Sequence, residues 1–350
     1  MDNDISSSLA AGENDTSSIP KVALAPFDDS SADVILRSSD GVDFHVYKII
    51  LSLSSSVFQS MFTLPQPSSP STPVSMVPVV EMAEHSSVLT PLLRACYPAR
   101  YADAQAESDA QTADAVPRSP HPTGILGHDL IRQVLEAARK FDIASFDAPA
   151  TNLLLDLVPK EPIAVYATAV RFSLKVVAAA AAKQTLKFKH MEFPTSDSMN
   201  YMTAVQLYDL LRYHRNCGQA AHDAIEHDFY YDWLGDLPDE DELDYCIMRD
   251  QRCDCYQPRA KYEEDADWYA LPSVWEFLTR AAEAVKNHPD PLVIISPVEV
   301  VDHPRAEPRI SESCQYCVAT KPMYTVERLY TVLMKLVEEA IDQVPLPKIS

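Results

Sequence analysis

Residues 32–62 read ADVILRSSDGVDFHVYKIILSLSSSVFQSMF, and this stretch decides the fold. Alternating apolar residues lie on both sides of a Ser-Ser-Asp-Gly segment: Val34, Leu36, Val42, Phe44 and Val46. A period of two predicts strands, each with one buried face. The Asp40-Gly41 pair predicts a tight turn, because tight hairpin turns need positive φ at positions that Gly, Asn or Asp adopt most easily. The stretch therefore begins with a β-hairpin.

The spacing of apolar residues changes after the hairpin from two to about 3.6, which predicts helices. The first short helix has one apolar face made of Ile49, Ile50 and Leu53. The second has its apolar face at Val57, Phe58, Met61 and Phe62. A further β-like run covers 77–82, and Ser86 is then expected to cap a helix that carries Leu89, Leu92, Leu93 and Cys96 on one side.

The chain beyond residue 128 shows helical spacing almost throughout. Amphipathic helices are predicted over 130–141 and 146–158, and another begins at Pro162. Leu207, Leu210 and Leu211 indicate a helix that Asn216 and Gly218 are expected to interrupt, and the clearest stripe runs from Leu329 to Ile341. We therefore predict an α+β fold followed by an all-helical C-terminal region with irregular inserts.

Composition sets the expected boundaries between these regions. Residues 1–30 form an acidic, Ser-rich tail predicted to be disordered, with one short edge strand possible at Val22 and Leu24. Residues 101–128 hold few large apolar side chains and are predicted to be a flexible insertion within an α+β domain spanning 31–158. A helical extension at 159–190 and a helical C-terminal region at 191–345 complete the expected organisation.

Charge and cysteine content narrow the expected partners and compartment. Fifty-one acids against 29 bases give a net charge of −22, which opposes direct binding to nucleic acid. The most apolar run, 176–182, is far shorter than the roughly 20 residues a membrane helix needs, so no membrane partner is expected. The start of the chain lacks the features of a secretory signal, and its seven cysteines are expected to be reduced in the cytosol or nucleus.

The hairpin, the helical pair and the later helices together carry a resemblance. Ala32 to Arg37 with Asp40 to Val46, followed by Lys48 to Phe62, is similar to the BTB/POZ family in the version found in fungal proteins. Leu92 to Pro98 and Val134 to Asp142 extend the similarity to about residue 158. One departure is Tyr47, where many members carry a histidine.

The resemblance implies a small sheet flanked by helices that pairs with itself or with other proteins. It implies no reaction, so we expect a non-enzymatic scaffold or adaptor without a cofactor, acting as a possible homodimer. A narrower alternative is a substrate adaptor of a cullin-type ubiquitin ligase. The acidic, helix-borne motif for cullin contact has no clear counterpart in this sequence, so this alternative stays open.

The cysteines supply an alternative of another class. Cys253, Cys255, Cys314 and Cys317 could offer four thiolates to a tetrahedral zinc ion that stabilises the protein. About sixty residues separate the two pairs, whereas zinc modules usually keep their pairs close in sequence. Because Cys is also a common core residue, these four are held as candidates and no metal site is assigned. The chain shows no phosphate-binding glycine loop, nucleophile elbow or other catalytic motif, and no catalytic residue is expected.

Overall fold

The structure is a computed structural model in which the chain divides into two compact units, Met1–Ala150 and Thr151–Ser350. The residues that it describes are 21–64, 77–98, 127–226, 247–248, 257–258, 269–270, 272–294 and 323–348. Each unit is treated below by itself.

A four-stranded sheet organises the N-terminal unit. Its strands are β1 (Lys21–Val22), β2 (Val34–Arg37), β3 (Val42–Val46) and β4 (Val79–Glu81), in the order β1-β3-β2-β4. β2 and β3 form the predicted antiparallel hairpin, while β1 and β4 pair in parallel at the two edges. Gly41 has φ +75°, which explains why glycine occupies the hairpin turn. Alternate residues of the hairpin are buried, as the period of two predicts.

Helices flank this sheet. They are α1 (Lys48–Ser54), α2 (Ser56–Thr63), α3 (Ser86–Cys96) and α4 (His128–Lys140). The next helix, α5 (Asp147–Leu157), runs across the boundary between the two units. The N-cap of α3 is His85, so the prediction that Ser86 caps this helix was wrong by one residue. Ser86 instead donates from both its N–H and its hydroxyl to Asp40, at 2.8 and 2.7 Å. The turn of the hairpin thereby holds the start of α3.

Order begins earlier than the expected boundary at residue 31. The ring of Phe27 is 1% exposed and lies 5.7 Å from Phe44 and 5.4 Å from Tyr97 between ring centroids. The predicted edge strand at Val22 is present as β1, but Leu24 lies beyond its end. Residues 21–30 are therefore ordered, in contrast to the predicted tail, because β1 pairs with β3 and the ring of Phe27 is buried. Residues 1–20 lie outside the described residues.

Helices dominate the described part of the C-terminal unit. They are α6 (Pro162–Arg171), α7 (Lys175–Thr185), α8 (Ala204–Asp223), α9 (Pro272–Asn287) and α10 (Met323–Asp342). α6 packs against α7, and α8 packs against both α9 and α10. Nine of the ten residues of α6 are buried, so this helix is enclosed on every side.

The expected interruption of α8 at Asn216 and Gly218 is wrong, because the helix continues to Asp223. A Cβ atom built on Gly218 would lie 2.2 Å from the carbonyl oxygen of Lys286 in α9. Glycine is thus present at this position because two helix backbones approach closely there, and not because the helix ends.

The helical character of the C-terminal region is confirmed, but the region is not entirely helical. Its inserts hold three two-residue strands, β5 (Ile247–Met248), β6 (Gln257–Pro258) and β7 (Tyr269–Ala270). They form an antiparallel sheet in the order β5-β7-β6. Strands of two residues are too short to show a period of two, so the sequence pattern gave no sign of them.

Two other expectations concern the insertion and the membrane. The predicted flexible insertion at 101–128 lies outside the described residues, apart from its last two positions, where His128 is buried at the start of α4. None of the helices that the structure describes is both long and apolar enough to cross a membrane.

Candidate protein-interaction surface

Helix α1 is fixed at both ends by polar contacts. At its start, the backbone N–H of Lys48 donates to Asp33 Oδ1 at 2.8 Å, and the N–H of Tyr47 donates to the Tyr97 hydroxyl at 3.0 Å. At its end, the Ser54 hydroxyl lies 3.2 Å from the carbonyl oxygen of Cys96 in α3. A helix of seven residues is unstable alone, so these contacts and the buried Leu51 hold it in place.

The outer side of α1 exposes two large apolar side chains. Ile49 is 65% exposed and Leu53 is 82% exposed, while Leu51 is fully buried. Residues four apart lie on the same side of a helix, so Ile49 and Leu53 form one apolar strip, which we call the α1 face. Ile49, Ile50 and Leu53 were predicted to form the apolar face of this helix, but Ile49 and Leu53 point to solvent. The sequence missed Leu51, which is the residue that packs inward.

Helix α2 gives the α1 face a rigid support. The Ser55 hydroxyl accepts from the N–H of Phe58 at 3.0 Å and donates to the carbonyl oxygen of Phe141. Ser56 donates to Asp142 at 2.5 Å, and the ring of Phe58 stacks on Phe141 with centroids 5.0 Å apart. Because α1 and α2 pack together, the contacts of α2 also restrict movement of α1.

Asp29 holds the residues that lead into α1. Its carboxylate accepts from the Tyr47 hydroxyl at 2.5 Å and from both the N–H and the hydroxyl of Ser31 at 2.8 and 2.7 Å. The hydrogen bond from Tyr47, followed by those from Ser31, lowers the pKa of Asp29 to about 2. Tyr47, the departure noted in the sequence, therefore links the segment before β2 to the start of α1.

An open groove of about 430 Å³ is a second candidate surface feature of the N-terminal unit. Its walls include Glu84, His85, Glu136 and Lys140. Lys140 pairs with Glu84 at 2.6 Å, and Glu136 pairs with Arg132 at 3.0 Å. Charged groups of the groove are thus balanced inside the domain, which leaves the α1 face as the stronger candidate for a contact surface.

The structure places none of the four zinc candidates in a described position. Cys253, Cys255, Cys314 and Cys317 all lie outside the described residues, so zinc binding by them stays a prediction. Cys96 and Cys217 are free and buried, and burial raises the pKa of each thiol to about 11. Both thiols are therefore protonated at neutral pH, unlike a nucleophilic cysteine.

Sequence reasoning missed most of the groups that position the α1 face. Asp29 and Asp33 act on residues 15 or more positions away, so no local pattern marks them. Ser55 had a usable signal, since a serine directly before an apolar helical run is a common N-cap.

Comparison with known proteins supports the resemblance to the BTB/POZ family. A family model for the BTB/POZ domain matches residues 26–116. No curated protein matches the chain, and the finer similarity to fungal members of the family stays a prediction.

The matched range contains the hairpin, β4 and helices α1 to α3. A BTB/POZ domain is a protein-interaction module, which agrees with an apolar strip on an anchored helix. The chain therefore carries a BTB/POZ domain with a small mixed sheet flanked by helices, followed by a helical region.

Proposed function

We propose that this protein is a non-catalytic scaffold or adaptor that pairs with a second copy of itself through the α1 face. One observation carries the proposal: Ile49 and Leu53 stand 65% and 82% exposed on a helix whose two ends are tied down. The domain type supports it, because BTB domains mediate protein contacts and dimerisation.

Pairing through the α1 face would bury apolar side chains on a helix that is already ordered. Covering an exposed Leu or Ile side chain contributes roughly 1.5–3 kcal/mol, and a two-fold dimer covers the same strip on both copies. Surfaces that are already rigid lose little conformational entropy on association. The α1 face is such a surface, since Leu51, Asp33 and Ser54 already fix the helix.

Light scattering during size-exclusion chromatography tests the pairing. The chain has a mass of 39.0 kDa, and we expect a species of twice that mass. The double variant Ile49→Asp/Leu53→Asp should be monomeric, because pairing would bury two carboxylates on each copy. Val205→Asp is a matched control, since Val205 is 69% exposed on a different helix, α8. A monomeric wild type, or a dimer that survives the double variant, would overturn the proposal.

A narrower form of the adaptor role is recruitment to a cullin-type ubiquitin ligase. Its support is the BTB/POZ domain alone. A pull-down of purified chain with a panel of cullin N-terminal domains tests it, with the Ile49→Asp/Leu53→Asp variant run in parallel. Failure of every cullin to bind would remove this role and leave the scaffold role intact.

We also propose the cytosol or nucleus as the compartment, because seven cysteines, an odd number, favour reduced thiols over a full set of disulfides. A fluorescent fusion followed by microscopy tests this, and secretion of the fusion would contradict it.

A further inference from the structure

Histidines from different segments of the C-terminal unit meet near the middle of α8. His190 follows α7, His214 lies inside α8, and His288 directly follows α9. Nδ1 of His190 and Nδ1 of His214 are 3.3 Å apart. His214 is fully buried, whereas His190 is half-buried, so solvent reaches the pair from one side.

The ring of His214 and the backbone of His190 are each held by contacts with neighbouring backbone. His214 Nε2 donates to the carbonyl oxygen of Phe188 at 2.8 Å, so in the neutral ring Nδ1 carries a lone pair. The backbone N–H of His190 donates to the carbonyl oxygen of Asn287 at 2.8 Å. The ring of Phe193 packs edge-on against His214 with centroids 5.4 Å apart. The fold therefore orients Nδ1 of His214 and fixes the backbone position of His190 beside it.

The separation of 3.3 Å lies at the long end of hydrogen-bond distances and also suits two ligands of one ion. For comparison, N–H···O hydrogen bonds usually span about 2.7–3.2 Å. Two imidazole nitrogens at about 2.0–2.1 Å from a tetrahedral zinc ion lie roughly 3.3–3.4 Å from each other. We propose that His190 and His214 bind a divalent transition-metal ion of the Zn²⁺ type through their Nδ1 atoms.

The surroundings of the pair agree with this assignment. Metal-binding histidines commonly donate their other ring N–H to a backbone carbonyl, as His214 does to Phe188. Burial lowers the pKa of His214 to about 4, so the ring is neutral at pH 7, as a metal ligand must be. Imidazole nitrogens favour zinc, copper or nickel over calcium or magnesium, which prefer oxygen ligands.

Two protein ligands leave part of the coordination sphere to water. Among the described residues, no group of three or more His, Cys, Asp and Glu side chains is arranged to hold a metal ion. His288 lies close by, but its Nε2 atom is engaged with the carbonyl oxygen of Lys187 at 2.6 Å. The site is therefore open, and the bound ion would tie the segment at 187–193 to α8.

Zinc titration of the full chain, followed by NMR of the histidine rings, tests the proposal. In wild type, Zn²⁺ should shift the Nδ1 resonances of His190 and His214 in long-range ¹H–¹⁵N spectra. His190→Gln should bind one fewer equivalent of Zn²⁺, or bind that equivalent at least about tenfold more weakly. Because the seven cysteines are the same in both proteins, any zinc that they bind cancels in this difference.

His222→Gln is the matched control, since His222 lies on the same helix and contacts Asp223 instead of another histidine. It should keep the wild-type number of zinc equivalents. Unshifted Nδ1 resonances in wild type at saturating Zn²⁺, or equal binding by wild type and His190→Gln, would overturn the proposal. The NMR measurement uses wild type alone, so it remains valid even if a variant folds poorly.

Discussion

Helices α1 and α6 use apolar residues in opposite ways. α6 is buried around its whole circumference, with nine of ten residues inaccessible. α1 buries Leu51 alone; its ends are held by the hydrogen bond that the Lys48 N–H donates to Asp33 and by the one that the Ser54 hydroxyl donates to the Cys96 carbonyl oxygen. A helix held by burial has no side left for a partner, whereas a helix held at its ends keeps one side free. This difference explains why the candidate interaction surface lies on α1, the helix with fewer buried residues.

Introducing a carboxylate should give the largest difference in stability loss between α6 and α1. Val165 in α6 is fully buried, and we expect Val165→Asp to lower the free energy of unfolding by at least about 4 kcal/mol, because the carboxylate would have no partner. Leu53→Asp on α1 should change the stability of the folded monomer by about 0.5 kcal/mol or less, since its side chain is 82% exposed there, provided that both proteins are compared at concentrations at which the chain is monomeric. Urea denaturation of both variants measures this. Equal losses would mean that α1 is packed as tightly as α6.

Removal of a polar anchor should have the next largest effect. Ser55→Ala removes the cap from the N–H of Phe58 and leaves the carbonyl oxygen of Phe141 without its donor, at a cost of about 2 kcal/mol. Ser56→Ala is a matched control, because Ser56 is exposed and its contact with Asp142 lies at the surface. Thermal unfolding compares the two variants. If Ser55→Ala lowers stability no more than Ser56→Ala does, the contacts of Ser55 do not hold the helical pair in place.

Gly218→Ala, at the close contact between α8 and α9, should change stability by a smaller amount. Whether it stabilises or destabilises shows how firmly the two helices are packed. Alanine normally favours a helix over glycine by about 1 kcal/mol, but at Gly218 its Cβ would clash with the backbone of Lys286. Overpacking costs about 1–3 kcal/mol, so Gly218→Ala should destabilise by about 1 kcal/mol net. Asn216→Ala, at an exposed position of the same helix, should be neutral or stabilising. Stabilisation by Gly218→Ala in chemical denaturation would show that the helices separate easily.

Sequence patterns predicted the parts of the fold that depend on local geometry. The Asp40-Gly41 turn was predicted because positive φ restricts the residues allowed there, and Gly41 has it. The orientation of α1 was not predictable, because Ile49, Ile50, Leu51 and Leu53 place apolar side chains on several sides of a short helix. Gly218 was misread as a helix end because the backbone that it contacts, at Lys286, is far away in sequence. Similarly, no local pattern shows that His190 and His214 meet.

The anchor at Asp29 should have the smallest effect on stability and the clearest dependence on pH. Its pKa is lowered from 3.8 to about 2, first by the hydrogen bond from Tyr47. A lowered carboxyl pKa stabilises the folded state above the unfolded value, and this contribution is lost as the pH falls from about 4 to about 2. Tyr47→Phe removes that donor and should raise the pKa of Asp29 toward 3.8, which ¹³C NMR of the carboxyl group measures. Ser87→Ala, near the surface of α3, serves as the control. If the pKa stays near 2 in Tyr47→Phe, Ser31 alone fixes Asp29, and the start of α1 does not depend on Tyr47.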